Sequence, residues 1–366
     1  MVEKPERRLP PGTVVEIVDR DGQWVGRGFY NAHSRIKLRV LSSDPAEEID
    51  EAFFARRIER AISLRRDLLA LDRVADSYRL VHSEGDDLSG LVVDRFGDHL
   101  VMEFFAAGMY RFRPAIEAAL RSAYPGASFY WFADEHVQKQ ESIDVRSPEP
   151  APRPIEITEH GVRFRVQPGG KHKTGFFVDQ RENRKSLAEL SAGRRVLDLC
   201  TNSGGFAVYA KALGNAAEVV GVDIDEEAID LARRNADLNQ ARIRFVQADL
   251  FPWLRDTVAN GERFDVVVLD PAKQTRARDE VEMALLRYRD MNRMAIQAVA
   301  PGGYLLSCSC TGLVREDDFL GAIQRGAYHA GRTVQVLRVT GAGPDHPFLV
   351  HVPESRYLKA VWARVF

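Results

Sequence analysis

Val196-Leu-Asp-Leu-Cys-Thr-Asn-Ser-Gly-Gly-Phe206 is the stretch whose reading decides the fold. Val196 to Leu199 reads as a buried strand. It runs into a turn at Gly204 and Gly205, and an apolar helix pattern follows at Phe206, Val208, Tyr209 and Leu213. Strand, glycine turn and helix form the local geometry of a nucleotide-cofactor site, because glycine lets ligand and backbone approach closely. Many packed strand-to-helix turns also contain glycine, so the residues downstream must decide which cofactor is meant.

Further strands are expected at Glu218–Val222, Ile243–Gln247, Phe264–Leu269 and Gly303–Ser307, each separated from the next by helical periodicity. This alternation predicts a parallel sheet with helices on its faces. Late β segments, Val334–Thr340 and Tyr357–Val365, finish the sheet. In such a sheet ligands sit at the carboxyl ends of the strands. The first strand carries Asp198. The second ends at Asp223, about 20 residues past the turn, where a ribose diol needs an acceptor, and Asp225 then caps a helix. The third ends at Asp249, suited to an adenine amino group. The fourth ends at Asp270-Pro-Ala-Lys273. An NAD site shares the first two features, but this turn is not G-x-G-x-x-G and the later acids have no pyrophosphate to serve. Any one of these aspartates would pass for a helix cap. Four at successive strand ends suit a cofactor with an amino-acid tail, an adenosine and no phosphate, and the cofactor expected is S-adenosylmethionine.

Upstream, Pro148, Pro150, Pro152 and Pro154 form an extended spacer, and the main domain boundary is placed there. Residues 151–366 form the cofactor domain, opened by β segments at Ile155 and at Val162–Val166. Residues 77–150 read as a small α+β domain, with strands at Tyr78–His82, Leu91–Asp94, Leu100–Phe105 and Ser128–Phe132 and a helix over Phe112–Ala123. Residues 46–76 read as a connecting helix whose arginines, Arg56, Arg57, Arg60, Arg65 and Arg66, lie on a solvated face. Residues 1–45 read as all-β: a hairpin from Thr13–Val18 through Asp21-Gly22 to Gln23–Tyr30, then a strand Arg35–Leu41 showing Arg35, Lys37 and Arg39 on its open face.

The chain of 366 residues is long enough for two or three domains, and its 45% hydrophobic and 28% charged composition is that of a globular protein. No apolar run reaches the length of a membrane span, and no secretory signal is read at the N-terminus. Three cysteines make no disulfide framework and point to the cytoplasm. A formal net charge of −2 gives no global pull toward nucleic acid, so such binding must come from local basic patches.

Thr174-Gly-Phe-Phe-Val-Asp-Gln-Arg181, Asp270-Pro-Ala-Lys273 and Ser309-Cys-Thr-Gly312, with Tyr78-Arg-Leu-Val and Gly90-Leu-Val-Val-Asp-Arg-Phe-Gly97 in the centre, resemble the signatures of the bacterial 23S rRNA large-subunit methyltransferase I family. The resemblance covers nearly the whole chain. It implies an α/β fold with a Rossmann-like class I methyltransferase domain at the C-terminus, preceded by a small α+β domain and a PUA-like RNA-binding β-domain. It further implies S-adenosylmethionine-dependent formation of 5-methylcytosine in RNA, with rRNA as partner, no membrane, and oligomeric state open, a homodimer included. By the same resemblance the Thr174–Arg181 segment closes over the cofactor, so Thr174, Phe176, Asp179, Gln180 and Arg181 join Asp198, Asn202, Ser203, Gly204, Gly205, Phe206, Asp223, Ile224, Asp249 and Asp270 as cofactor residues. Two departures stand out. The PUA-like unit starts almost at the Thr13 strand and reads as truncated. The family's Asp-Pro-Pro-Lys is Asp-Pro-Ala-Lys here.

Carbon 5 of cytosine is too weak a nucleophile to attack a methyl sulfonium. A thiolate added at carbon 6 makes carbon 5 nucleophilic, so this chemistry demands a cysteine beside the base. Cys310 lies just past a strand end, and Cys308, two residues back, would point the same way on an extended chain. The family resemblance aligns Cys310 with the nucleophile. Free cysteines are more often small buried hydrophobes, and Cys200, in the cofactor turn, reads as packing. A cation beside the thiol would favour the thiolate, and Lys273 is the candidate; Asp270 would hydrogen-bond the N3/N4 edge of the base. Arg163, Arg165, Lys171, His172, Lys173, Arg276, Arg278, Arg287, Arg289 and Arg293 are available for phosphate contacts. An exocyclic-amine methyltransferase would need no cysteine, and a non-catalytic RNA-binding assembly factor would need no turnover; both stand as alternatives.

Overall fold

The computed structural model describes Pro5, residues 7–169 and residues 175–366. The chain gathers into two compact units, Met1–Ile157 with Val166–Asp179 and Pro344–Pro353, and Thr158–Arg165 with Gln180–Gly343 and Glu354–Phe366.

In the first unit, β1 (Thr13–Val18), β2 (Trp24–Tyr30) and β3 (Leu38–Ser42) form an antiparallel sheet in that order. The backbones cross closely at Gly28, where a Cβ would lie 2.0 Å from the Arg39 carbonyl oxygen. The third strand departs from expectation. It begins at Leu38, so Arg35 and Lys37 lie in its approach, and Arg39 turns inward to Ser89 Oγ at 3.0 Å and Glu84 at 3.5 Å. Ile36 and Val40, 52% and 48% exposed, take the open side. The ion pair and hydrogen bond available to Arg39 outweigh the simple polar-out alternation.

Helix α1 (Glu51–Ser63) starts where the Asp50 carboxylate accepts from Phe53 N, and it buries Phe53, Phe54, Ile58, Ala61 and Ile62. The expected helix over 46–72 is not continuous. A π-turn at Leu64–Leu68 follows α1. It turns Arg65 away from solvent, contrary to the solvated face read from sequence: Arg65 is fully buried and bidentate to Asp86 at 2.6 and 2.8 Å. Its guanidinium also donates to the Arg79, Ala61 and Asp345 carbonyls.

The core of this unit lies between α1 and a four-stranded sheet, β4 (Ser77–His82), β5 (Leu91–Phe96), β6 (His99–Phe104) and β7 (Ser128–Phe132), in that order. β7 runs parallel to β6, which requires a crossover; α2 (Ala107–Arg111) and α3 (Arg113–Ala123) provide it. A short helix not anticipated from sequence, α4 (Glu135–Glu141), follows, capped by Asp134. A hairpin of β8 (Ile155–Glu159) and β9 (Val162–Val166) then leads toward the second unit.

The second unit alternates α5 (Arg181–Glu189), β10 (Arg195–Leu199), α6 (Gly205–Ala212), β11 (Glu218–Asp223), α7 (Glu226–Leu238), β12 (Arg244–Gln247), α8 (Leu250–Ala259), β13 (Phe264–Leu269), α9 (Val281–Ala298), β14 (Val299–Ser309) and α10 (Glu316–Ala330), and closes with β15 (Val334–Thr340) and β16 (Lys359–Val365). The seven strands lie in the order β12-β11-β10-β13-β14-β16-β15. Five are parallel, but β16 pairs antiparallel with both β14 and β15, so the sheet is mixed where a parallel one was expected. The strand order reverses between β10 and β13, and a crevice opens at such a point beyond the carboxyl ends. Val196, Leu197, Leu199 and Val266–Leu269 are buried on both faces, which explains their continuous apolar runs.

Candidate active site

β10 ends in a turn that is strained at two non-glycine residues. Cys200 has φ +59° and Asn202 φ +47°, and Gly204 follows at φ +80° before α6 begins. Asp198 locks this turn: its Oδ2 accepts from Thr201 Oγ1 at 2.6 Å and from Ala207 N at 3.0 Å. Its Oδ1 is buried with no hydrogen-bond partner among the described residues. Burial, helped by the Asp270 and Asp223 charges, pushes the Asp198 carboxyl up to about 7. Asp223, at the end of β11, accepts from Asn202 N at 2.8 Å through Oδ2 and from Asp225 N at 3.0 Å through Oδ1. Ile224 beside it is 67% exposed. Ser203 is buried, with its carbonyl accepting from Asn235, and Phe206 packs into the core.

The other candidates are placed less uniformly. Asp249 caps α8, accepting from Phe251 N at 2.8 Å, and is exposed. At the end of β13, Asp270 Oδ2 accepts from Gln180 Nε2 at 3.0 Å, and Gln180 Oε1 accepts from Asn183 at 2.6 Å. Arg181 is fully buried, 3.1 Å from Glu182. Phe176 and Asp179 are buried, and both belong to the first unit. Thr174, like the basic residues Lys171, His172 and Lys173, lies outside the described residues.

Among the cysteines the structure discriminates sharply. Cys200 is held as a thiol: burial pushes it up, and the Asp223, Asp270 and Asp198 carboxylates add to the shift. Cys308, on β14 opposite Ala360, is fully buried in a core cluster with Ala207, Ala210 and Trp362. Cys310, past the end of β14, is half-buried with Sγ 4.0 Å from the Pro271 carbonyl oxygen. The loops carrying Asp270 and Cys310 therefore meet. Lys273 is exposed on its loop. Lys359, in the stretch Tyr357-Leu-Lys359 that resembles the family's C-terminal pattern but to which sequence reasoning gave no role, is buried at the start of β16 with Nζ on the Thr311 carbonyl. Its signal was a lysine opening the otherwise apolar run Lys359-Ala-Val-Trp362.

The donor set suits a cationic cofactor without phosphate. Three carboxylates, Asp198, Asp223 and Asp270, repel one another across one turn, and Asp198 keeps an unmatched buried oxygen. A sulfonium or ammonium group relieves that repulsion, and a diol or amine supplies donors to the strand-end acceptors. No phosphate cradle is needed, and the residues fit S-adenosylmethionine.

Fold and site together define a class I S-adenosylmethionine-dependent methyltransferase. A family model described as S-adenosylmethionine-dependent methyltransferase matches residues 130–349, and a PUA-like domain model matches residues 1–43. The ribosomal RNA large subunit methyltransferase I of Escherichia coli K12 is 39% identical over 371 aligned positions, covering 100% of this chain and 93% of the relative. The same enzyme of Shigella boydii serotype 18 matches at the same identity and coverage. The chain belongs to the ribosomal RNA large subunit methyltransferase I family. Among solved structures, a Streptococcus mutans protein described as a SAM-dependent methyltransferase aligns with TM-score 0.82 at 21% identity over 98% of this chain and 93% of its own. A methyltransferase complexed with SAH aligns with TM-score 0.83 at the same identity and coverage. Among the described residues no helix is long and apolar enough to cross a membrane.

Proposed function

We propose that this methyltransferase forms 5-methylcytosine in ribosomal RNA, with Cys310 as the nucleophile. The observation that carries the reading is the meeting of two loops, Cys310 Sγ standing 4.0 Å from the carbonyl of Pro271, the residue after Asp270. A base held at Asp270 would have the thiol beside it. The rRNA substrate follows from the relatives, which are named for it.

Asp198, Asn202 and Asp223 would hold the amino-acid tail and ribose, with Ile224 and Asp249 at the adenine. Bound there, S-adenosylmethionine supplies an electrophilic methyl group. The chain's own residues prepare the acceptor. The Cys310 thiolate adds to carbon 6 and raises electron density at carbon 5. Asp270 holds the N3/N4 edge and assists protonation of the ring as charge builds there. After carbon 5 is alkylated, loss of its proton expels the cysteine and restores the ring. Reaching carbon 5 in structured RNA requires an extruded or unpaired base.

Cys310→Ala should abolish methylation of rRNA while S-adenosylmethionine binding, read by calorimetry, survives. RNA containing 5-fluorocytosine should trap the wild-type protein as a covalent adduct, because the carbon-5 substituent can no longer leave as a proton. A Cys308→Ala enzyme that is dead beside an active Cys310→Ala enzyme would refute the assignment. Nucleoside analysis that finds a methylated exocyclic amine in place of 5-methylcytosine would favour the amine-methylating alternative.

A further inference from the structure

A buried lysine stands where the loop carrying Cys310 leaves the sheet. Lys359 opens β16 opposite Ser309 in the antiparallel register, and it is 4% exposed. Its Nζ donates to the Thr311 and Tyr357 carbonyl oxygens, both at 2.8 Å. The side chain thus reaches from the strand facing Ser309 to the residue after Cys310, with the cysteine between those two attachments. Two carbonyls use two of the ammonium's three donors.

The same loop is held from its other side. Thr311 Oγ1 accepts from Gln274 N at 3.0 Å, just beyond Asp270-Pro-Ala-Lys273, and shares a 2.7 Å hydrogen bond with the Tyr288 hydroxyl of α9. Ser309 Oγ donates to that hydroxyl at 3.0 Å. One helix, α9, therefore ties the residues on either side of Cys310 and the loop after Asp270 into one polar network. Every side chain of that network is buried except that of Gln274, which contributes only its backbone.

We propose that Lys359 is a positioning residue for Cys310: its buried ammonium fixes the backbone beside the cysteine and supplies the positive charge that holds the thiolate. Burial lowers this ammonium to about 8, and the Cys310 charge is the strongest influence raising it. Arg356 before β16 and Lys273 after β13 lower it further, while Glu316 at the start of α10 raises it. Tyr288 from α9 is pushed up to about 12 by burial, with Cys310 and Asp270 adding to the shift, so it faces the thiol as a neutral phenol. Lys273 is exposed, and water and salt screen a charge there. Lys359 is shielded, so its charge acts on the thiolate more strongly.

The catalytic meaning of this pairing rests on the reading of Cys310 as nucleophile, but the pairing itself is testable without turnover. In the full-length protein without RNA, the rate of iodoacetamide alkylation at Cys310 is followed against pH, with peptide mass spectrometry separating it from Cys200 and Cys308. Lys359→Met should raise the midpoint by about one unit, and Lys359→Arg, which keeps the charge, should hold it near wild type. A folded Lys359→Met protein with the wild-type midpoint overturns the proposal. Coupling is reciprocal, so a second measurement serves if Lys359→Met does not fold. In protein labelled at lysine Cε, Cys310→Ser should lower the NMR titration midpoint of Lys359, and an unmoved midpoint overturns the proposal equally. Shifted midpoints beside an active Cys310→Ala enzyme would remove the nucleophile reading and leave the pairing standing. Unmoved midpoints beside a dead Cys310→Ala enzyme would remove the pairing alone.

Discussion

Asp198 shows how one carboxyl links strand geometry to ligand charge. It is 1% exposed, Oδ2 is committed to Thr201 and Ala207, and its folded value stands at about 7 against the ordinary carboxylate range. The folded ligand-free protein therefore binds more protons at this site than the unfolded chain between about pH 4 and pH 7. The stability this contributes is fully present below about pH 4 and is lost as pH rises through about 7, up to about 4 kcal/mol across the window. Asp198→Asn removes the titration while keeping an acceptor. Urea unfolding without ligand should show the variant gaining on the wild type as pH rises from 5 to 8; a constant gap would mean the carboxyl is not shifted. A cationic ligand reverses the sense, so wild-type affinity for S-adenosylmethionine should strengthen over the same range. The sequence marked Asp198, near a strand end, as a candidate cofactor acid. It could not show the unmatched oxygen or the raised carboxyl, because both depend on how the fold buries this side chain and brings Asp270 and Asp223 toward it.

At the scale of elements, periodicity read the strands well and the arginines poorly. β10, β11 and β13 were legible because two-sided burial writes a continuous apolar run. The apolar stripe of α1 was legible for the same kind of reason. Arg65 was not, for two physical reasons. The π-turn at Leu64–Leu68 rotates it off the face that the helical repeat predicts, and its partners lie far along the chain, Asp86 21 residues on and the Asp345 carbonyl 280 residues on. Local pattern carries no information at that range. Removing one partner leaves a buried charge without its counter-ion, which costs about 3–5 kcal/mol. Asp86→Ala should therefore destabilise the first unit by about that amount, whereas Glu59→Ala, at an exposed position of α1, should change stability by less than about 0.5 kcal/mol. Chemical denaturation of the two variants compares them directly, and equal costs would mean that Arg65 finds other compensation.

Over the whole molecule, the order of strands in sequence made the candidate cofactor site legible, since the acids fall at successive strand ends. The antiparallel return of β16 was not legible, and with it went the role of Lys359, because pairing direction is set by the connection and not by the strand's own residues. Charge presents the same division between sum and placement. A net charge of −2 attracts no polyanion, so RNA affinity depends on where the arginines stand. Arg289 is paired with Asp290 at 2.9 Å, and Arg287 donates to the Gln274 carbonyl. Arg163 and Arg165 are both exposed on alternate positions of β9, whose backbone donates to Asn239, just past α7, and to Asn235 at 2.9 and 2.7 Å, and the Arg163 guanidinium also donates to the Leu238 carbonyl. With Arg234 they line a shallow depression of about 400 Å³. Rigid backing lowers the ordering cost of a phosphate contact on this strand face. Replacing both by Gln should weaken RNA binding and reduce the slope of log K against log salt by about 1.4, the value for two phosphate contacts on a single strand. Affinity for S-adenosylmethionine should not change. An unaltered salt slope, measured by titration from low to physiological salt, would return Arg163 and Arg165 to the status of a solvated strand face and direct the search for phosphate contacts to Arg276 and Arg278.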